Sequence, residues 1–279
     1  RRFKILIRTL TLISFCFILS RGFSQQINPD FLTKNWNARW ITAAGSNPTD
    51  YGVFVFRKNF ELPVSPENYV IHVSADNKYR LYVNGQFIGV GPARNDIEHW
   101  FFDTYDIAKY LKAGTNTIAA KVWNEGPRKA EAQISLRTGF ILDGEGEVSA
   151  IATNDTWKAL QDSSYSPIQV RVYGYYAAGP GENIQMENYI KNWQLNDENW
   201  PAAQASFPGV PKTKVGAFGA PMGWMLVPSD IPTFEFSQEN NPEIRKVDGV
   251  TTNLKTFDTS PIQVPANSKA SLLLDQKYL

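Results

Sequence analysis

The chain has 279 residues, 43% of them hydrophobic and 13% aromatic, with 28 basic and 27 acidic side chains and a formal net charge of +1. This composition excludes a disordered or low-complexity polymer and suffices for one large core or two sandwich-sized ones. A single cysteine, Cys16, excludes an internal disulfide framework.

Residues 1–24 read as a secretory signal peptide. RRFKILIR carries four positive charges, LTLISFCFIL is an apolar run of ten, and Gly22 and Ser24 occupy the small-residue positions before a cut at Gln25. The apolar part is too short for a stable membrane anchor, and Cys16 follows Phe15 instead of a small residue, which argues against lipidation. A buried N-terminal helix is the competing reading; the charge order and cleavage pattern favour export, to the periplasm or the medium. Cleavage removes Arg1, Arg2, Lys4, Arg8 and Arg21 and no acidic residue, leaving 23 basic against 27 acidic residues, a net charge of −4. Nucleic acid is thus not an expected partner, and no membrane contact is expected after leader removal. The chain begins without Met and stops at SLLLDQKYL in a strand-like run, so a segment of a longer protein is expected.

Beyond residue 25, short alternating runs follow one another between Gly, Pro and Asn signals. YGVFVFRKNFEL, ENYVIHVSA, NTIAAKVWN and QISLRTGFILD read as strands, and RLYVNGQFIGVG reads as a hairpin turning at Asn84-Gly85, where a type I′ turn needs positive φ twice. DTYDIAKYLKAG predicts one helical turn capped by Asp106 or Thr104 and stopped at Gly114, with Ile107, Tyr110 and Leu111 on its buried face. VSAIATNDTWKAL and PIQVRVYGYY continue the strand pattern. In NIQMENYIKNWQLNDENWPAAQASF, Pro201 and the Asn/Asp content favour a loop that packs Trp193 and Trp200 onto the sheet. Gly209 to Pro232 reads as a linker, and a second β segment starts at Phe234. The whole predicts an all-β sandwich followed by the start of another.

Most catalytic constellations fail. Gly89-Val90-Gly91 is followed at once by Pro92, with no third Gly and no helix, so it is no dinucleotide loop. His72 and His99 have no Cys or second His at metal spacing, and no G-x-S-x-G elbow occurs. Glycoside hydrolysis needs only two facing carboxylates, for which Glu98, Asp103, Glu125, Glu131, Glu182 and Glu187 are candidates, although acids on β loops are usually solvated or cap turns. A stronger signal is the set of aromatics beside amides and acids, since sugars offer flat C–H faces rimmed by hydroxyls. Trp100, Trp123, Tyr175 and Tyr176, with Asn77, Arg94, Asn124 and Glu125, could compose a carbohydrate site; the alternative is that the indoles fill the core.

Several stretches carry a family resemblance. ADNKYRLYVNGQFIGVGPARND, HWFFDTYDIAKYLKAGTNTIAAKVWNEG and TNDTWKAL resemble the N-terminal galactose-binding-like, jelly-roll sandwich of bacterial α-L-rhamnosidases, the inverting glycoside hydrolases of family 78. NYIKNWQLNDENWPAA resembles the stretch closing that module, and PIQVPANSKASLLLDQKYL the start of the next sandwich. The resemblance runs from about Ala38 to the C-terminus and, after the leader read at 1–24, implies the sandwich at 25–227 and a linker with the beginning of a second sandwich at 228–279. It implies an accessory part of a secreted enzyme that removes terminal α-L-rhamnose from glycans, with rhamnose-containing glycans and an intramolecular (α/α)6 catalytic domain as partners. The catalytic carboxylates would lie beyond Leu279, and no catalytic residue is assigned here. Some related modules bind rhamnose through calcium, and Asp76, Asn77 and Asn124 supply suitable oxygens, although the same residues suit ordinary turn chemistry. A stand-alone carbohydrate-binding module and a ligand-free structural spacer remain the alternatives.

Overall fold

The computed structural model describes residues 27–168, 177–196, 199–214, 223–232, 234, 236, 241–257 and 259–276. The leader expected at 1–24, like Tyr175 and Tyr176, lies outside the described residues. The chain divides into a unit Arg1–Thr233 and a unit Phe234–Leu279.

The first unit is a β-sandwich. One sheet has seven strands in the order β12-β1-β8-β3-β6-β14-β13, built from β1 (Arg39–Thr42), β3 (Val70–Asp76), β6 (Trp100–Asp106), β8 (Gly139–Gly144), β12 (Gln204–Pro208), β13 (Val210–Pro211) and β14 (Met225–Pro228). The other has five in the order β5-β4-β7-β2-β9, from β2 (Gly52–Leu62), β4 (Lys78–Val83), β5 (Gln86–Gly91), β7 (Gly114–Asn124) and β9 (Lys158–Gln161). A separate ribbon pairs β10 (Tyr165–Ile168) with β11 (Gly181–Ile184). Because side chains alternate along a strand, Phe54, Phe56, Leu81, Ile118, Ala120 and Val122 point from the five-stranded sheet onto Ile71, Val73, Ala75, Phe140 and Leu142 of the other, and together they form the main core.

Both sheets are also covered outside. On the seven-stranded sheet, Trp40, Trp100, Phe102, Trp224 and Leu226 pack with Phe31 and Trp36, which a short α-helix, α1 (Asp30–Thr33), brings over the sheet. On the five-stranded sheet, Val55 and Ala119 are covered by Trp193 and Trp200, so the Trp-rich stretch does pack both indoles as a loop. Double coverage explains why Val53 to Phe56 is buried without alternation.

The hairpin between β4 and β5 turns at Asn84 (φ 49°) and Gly85 (φ 78°), as the sequence predicts. Asn84 also donates to Tyr110 O (2.8 Å) and accepts from Thr117 N (2.9 Å), which pins the turn to its neighbours. The expected helical turn is a 3-10 turn, Ala108–Tyr110, with Asp106 accepting from Ala108 N at 3.0 Å. Gly209 to Pro232 is not wholly linker: β13 and β14 join the seven-stranded sheet, with Leu226, Val227 and Pro228 parallel to Trp100, Phe101 and Phe102. The Pro and Gly residues that suggested a linker sit around short strands whose pairing is remote in sequence.

The second unit contains one described ribbon, β15 (Glu243–Asp248) with β16 (Ser271–Asp275), antiparallel, and Arg245 bonds the Asp275 carboxylate.

Candidate functional site

The sequence-predicted residues meet where β3 runs into β4 and β7 ends. Asn77 N donates to Trp123 O (2.8 Å), and Glu125 N donates to Asn77 Oδ1 (2.7 Å). Gly126 N donates to Asn124 Oδ1 (2.8 Å), while Asn124 Nδ2 reaches Asp76 O at 3.5 Å. Asn77 and Asn124 are both buried. They shape the strand end and hold Glu125 in place, with no side-chain surface to offer a ligand.

Asp76 is a buried knot. Its Oδ1 accepts from Ser135 Oγ (2.7 Å) and Asn77 Nδ2 (2.5 Å), and its Oδ2 from Leu136 N (2.7 Å), Arg137 N (3.3 Å) and Trp224 Nε1 (3.0 Å). Burial pushes its carboxyl pKa upward, against these hydrogen bonds, which pull it down. The oxygens of Asp76, Asn77 and Asn124 considered for calcium are therefore occupied by N–H and O–H donors. A calcium ion would have to displace backbone donors that cannot turn away, so these three residues perform turn chemistry in this fold. Among the described residues, no group of three or more His, Cys, Asp or Glu side chains is placed to hold a metal.

Trp123 and Glu125 face outward from the five-stranded sheet, beside groups that sequence reasoning missed. Lys78 Nζ lies 3.3 Å from Glu125 Oε1 and 5.9 Å from the centre of the Trp123 ring, over which the Arg80 guanidinium stands at 6.0 Å. Gly52 pairs with Asn124, so Tyr51 is carried to the Glu125 end of β7. Its hydroxyl is pushed up to about 12 by burial, then by Glu182 and Glu125. The backbone at Gly179 rests on the Glu125 carboxylate: a Cβ there would lie 2.2 Å from Oε1. Arg94 is exposed and donates to Ala177 O (3.1 Å), which ties it to the strand end only through the 177–179 backbone.

Glu125 is 6% exposed, and its Oε2 has no hydrogen-bond partner; neither does the Trp123 indole N–H or the Tyr51 hydroxyl. Each unsatisfied buried polar atom costs about 1–3 kcal/mol. Three at one strand end, an acceptor, a donor and a hydroxyl, match the demands of a water or a ligand hydroxyl. The pairing that assembles them joins residues about 70 apart and leaves no local signal in the sequence.

Trp100, by contrast, is core, packed against Trp224. The remaining carboxylates are dispersed: Glu98, Glu131, Glu182 and Glu187 are exposed. Asp103 lies beneath the β4–β5 hairpin, where it accepts from Tyr79 Oη at 2.6 Å and burial raises its pKa to about 6.

No family model matches the chain. A stretch of 102 residues is 30% identical to a β-galactosidase of Oenococcus oeni, covering 36% of this chain and 9% of that protein. Among solved structures, a GH78 family rhamnosidase of Bacillus sp. GL1 superposes with a TM-score of 0.64 and 28% identity, covering 78% of this chain and 22% of that one. The α-L-rhamnosidase of Dictyoglumus thermophilum gives a TM-score of 0.51 at 20% identity, over 79% of this chain and 24% of that one, a likeness of fold. The chain spans less than a quarter of each of these proteins. It is structurally similar, over most of its length, to a portion of α-L-rhamnosidases.

Proposed function

We propose that this chain is a non-catalytic accessory β-sandwich of an exported α-L-rhamnosidase, secreted or periplasmic, which supports the catalytic domain and holds rhamnose-containing glycans at the Trp123–Glu125 strand end. The observation that carries this reading is the 28% identity and 0.64 TM-score shared with part of the Bacillus sp. GL1 enzyme. In the parent reaction, one carboxylic acid protonates the leaving oxygen and a second carboxylate activates water on the opposite face of the sugar, giving inversion. Those two carboxylates belong to the remainder of the parent chain, an (α/α)6 domain. Here Glu98, Glu131 and Glu187 are scattered on the surface, and Asp76 and Asp103 are committed to internal hydrogen bonds.

A stand-alone carbohydrate-binding module is the second reading, favoured by the unpartnered Glu125 Oε2, Trp123 Nε1 and Tyr51 Oη. Calorimetric titration with L-rhamnose, run beside p-nitrophenyl α-L-rhamnoside hydrolysis, tests both. The expected result is no hydrolysis by this chain, with rhamnose binding that weakens at least tenfold in Trp123→Ala or Glu125→Gln. Affinity unchanged in both variants would remove the site, and an absence of binding altogether would leave a structural spacer. Hydrolysis by this chain would overturn the accessory role.

A further inference from the structure

Beneath the β4–β5 hairpin the sandwich holds a polar cluster that the proposed function does not use: Asp103 and Tyr105 of β6 with Tyr79 of β4. Tyr79 is fully buried, and Asp103 and Tyr105 are partly buried. Asp103 pairs with Val73, a core residue, so its side chain points between the sheets. Tyr79 Oη donates to Asp103 Oδ2 at 2.6 Å and lies 3.0 Å from Tyr105 Oη. A phenol has one proton, and Tyr79 spends its own on the carboxylate, so Tyr105 donates to Tyr79. With a proton on Asp103 the chain can run the other way, from Asp103 to Tyr79 to Tyr105, and both phenols stay hydrogen-bonded.

The cover over this cluster is backbone. Gly91 lies opposite Tyr79 in the β4–β5 ladder, and Gly89 opposite Leu81. A Cβ on Gly91 would overlap Asp103 Oδ2, and one on Gly89 would stand 2.7 Å from Tyr105 Oη. β5 thus rests directly on the acid and the phenol. Among the described residues it is the outermost strand of its sheet, with β4 as its one neighbour, and the register between them skips Ile88. β6, by contrast, is held by β3 on one side and β14 on the other.

The charge balance at the cluster is one-sided. Asp103 faces Tyr79 from β4, Tyr105 from its own strand, Val73 from β3 and the Gly91 backbone from β5, and none of these is cationic. Burial raises Asp103 to about 6, and the Tyr79 hydrogen bond pulls the other way. Burial also holds both phenols above their ordinary range, so Asp103 is the member of the cluster that ionises near neutrality. A carboxylate with one O–H donor and no cation is relieved by water. Water enters at least cost by parting an edge strand from the cluster, since separating β6 would break two ladders.

We propose that Asp103 is a pH-operated latch for β5: protonated, it keeps the strand seated over Tyr79 and Tyr105, and ionised, it lets the strand open locally while the rest of the sandwich stays folded. The latch is independent of the Trp123–Glu125 strand end and of the rhamnosidase reading.

Native-state hydrogen exchange over 86–91 at pH 5 and 7.5, corrected for the intrinsic pH dependence of exchange, tests it on the wild type and Asp103→Asn. Residues 70–76 and 114–124 serve as references for global unfolding. Asn still accepts the Tyr79 hydroxyl and carries no charge. An opening that returns the Asp103 carboxyl from about 6 to its ordinary 3.8 becomes about tenfold more favourable over this interval. In the wild type at pH 7.5, β5 should exchange faster than both reference strands and about tenfold faster than it does at pH 5, whereas Asp103→Asn should show no such rise. Exchange of β5 only in step with the references, a wild-type rate that does not change with pH, or an equal rise in Asp103→Asn would overturn the latch.

Discussion

His72 stands on β3 with its ring among Phe31, Trp36 and Phe102, Nδ1 2.9 Å from Thr104 Oγ1 and Nε2 3.6 Å from Glu145 Oε1. Burial lowers its pKa to about 4. The neutral ring is the form the fold accepts, so its contribution to stability is complete above the unfolded-state value of about 6.5 and is lost as pH falls through about 4. The shift corresponds to about 3 kcal/mol. His72→Asn keeps a polar atom near Thr104 without a titrating ring. Urea unfolding at pH 7.5, 5.5 and 4 should therefore show the variant gaining on the wild type as pH falls, and parallel profiles would refute the assignment. Asp103 titrates with the opposite sign. Burial raises its folded pKa to about 6, so its contribution is complete below about 3.8 and is lost as pH rises through 6. Asp103→Asn can still accept the Tyr79 hydroxyl, and it should gain about 3 kcal/mol on the wild type between pH 4 and 7 in the same assay. Neither shift is legible from sequence: His72 alternates in its strand like any other residue, and only the aromatics brought over by α1 and by β6 desolvate it.

The hairpin at Asn84-Gly85 shows which elements can be read locally. Two adjacent positive-φ positions between alternating runs specify the turn without any distant partner. Gly85→Ala should cost about 1–2 kcal/mol for the left-handed backbone, with the added Cβ 3.3 Å from Leu195. Asn84→Ala should cost more, about 2–3 kcal/mol, because Thr117 N loses its acceptor, Tyr110 O loses the side-chain donor and Asn116 Oδ1 keeps only Lys112 N. Chemical denaturation midpoints check the ranking. By contrast, β14 was hidden in a Pro- and Gly-rich stretch, since three residues that pair in parallel with β6 have no local pattern. The candidate site divides in the same way. Trp123 and Glu125 were legible as an aromatic beside an acid at the end of β7, while Tyr51 and Gly179 reach them only through pairing and chain reversal. The covering loop is held by a device equally invisible in sequence. Lys121, buried on the outer face of β7, bonds Asp162 at 3.2 Å, and its ammonium lies 4.6–5.0 Å from the ring centres of Tyr165, Tyr189 and Trp193. Lys121→Met leaves the Asp162 charge buried and should cost about 3–5 kcal/mol. It should also speed proteolysis within 185–196, and Lys121→Met/Asp162→Asn should recover much of the loss. Equal instability of the single and double variants would show that the ion pair does not latch the loop.

At the scale of the whole chain, the two units differ in what they can bury. The first closes a main core between its sheets and covers each sheet again from outside, with Trp40, Trp157 and Trp224 among its fully buried side chains. That burial holds a fold together without a disulfide, as expected for a chain with a single cysteine, Cys16. The second unit, Phe234–Leu279, has one described two-stranded ribbon, and it leaves Phe234 64% and Leu273 60% exposed, with Val264 and Phe257 also in the open. A lone ribbon of that kind is at best marginal in water, and a segment of this length without a staple rarely supplies more than about 3–5 kcal/mol from its core. Arg245 adds charge-assisted contacts with Glu243 and Asp275, but these lie on the surface, where solvent screens an ion pair. Ordering costs of about 1–2 kcal/mol per residue exceed what so small a buried area returns. A peptide comprising 234–279 should therefore show a coil-like far-ultraviolet spectrum and no cooperative thermal transition, whereas 25–233 should unfold in one sharp step. A cooperative transition in the short peptide would mean that its apolar side chains form a core that the exposed Phe234 and Leu273 do not suggest.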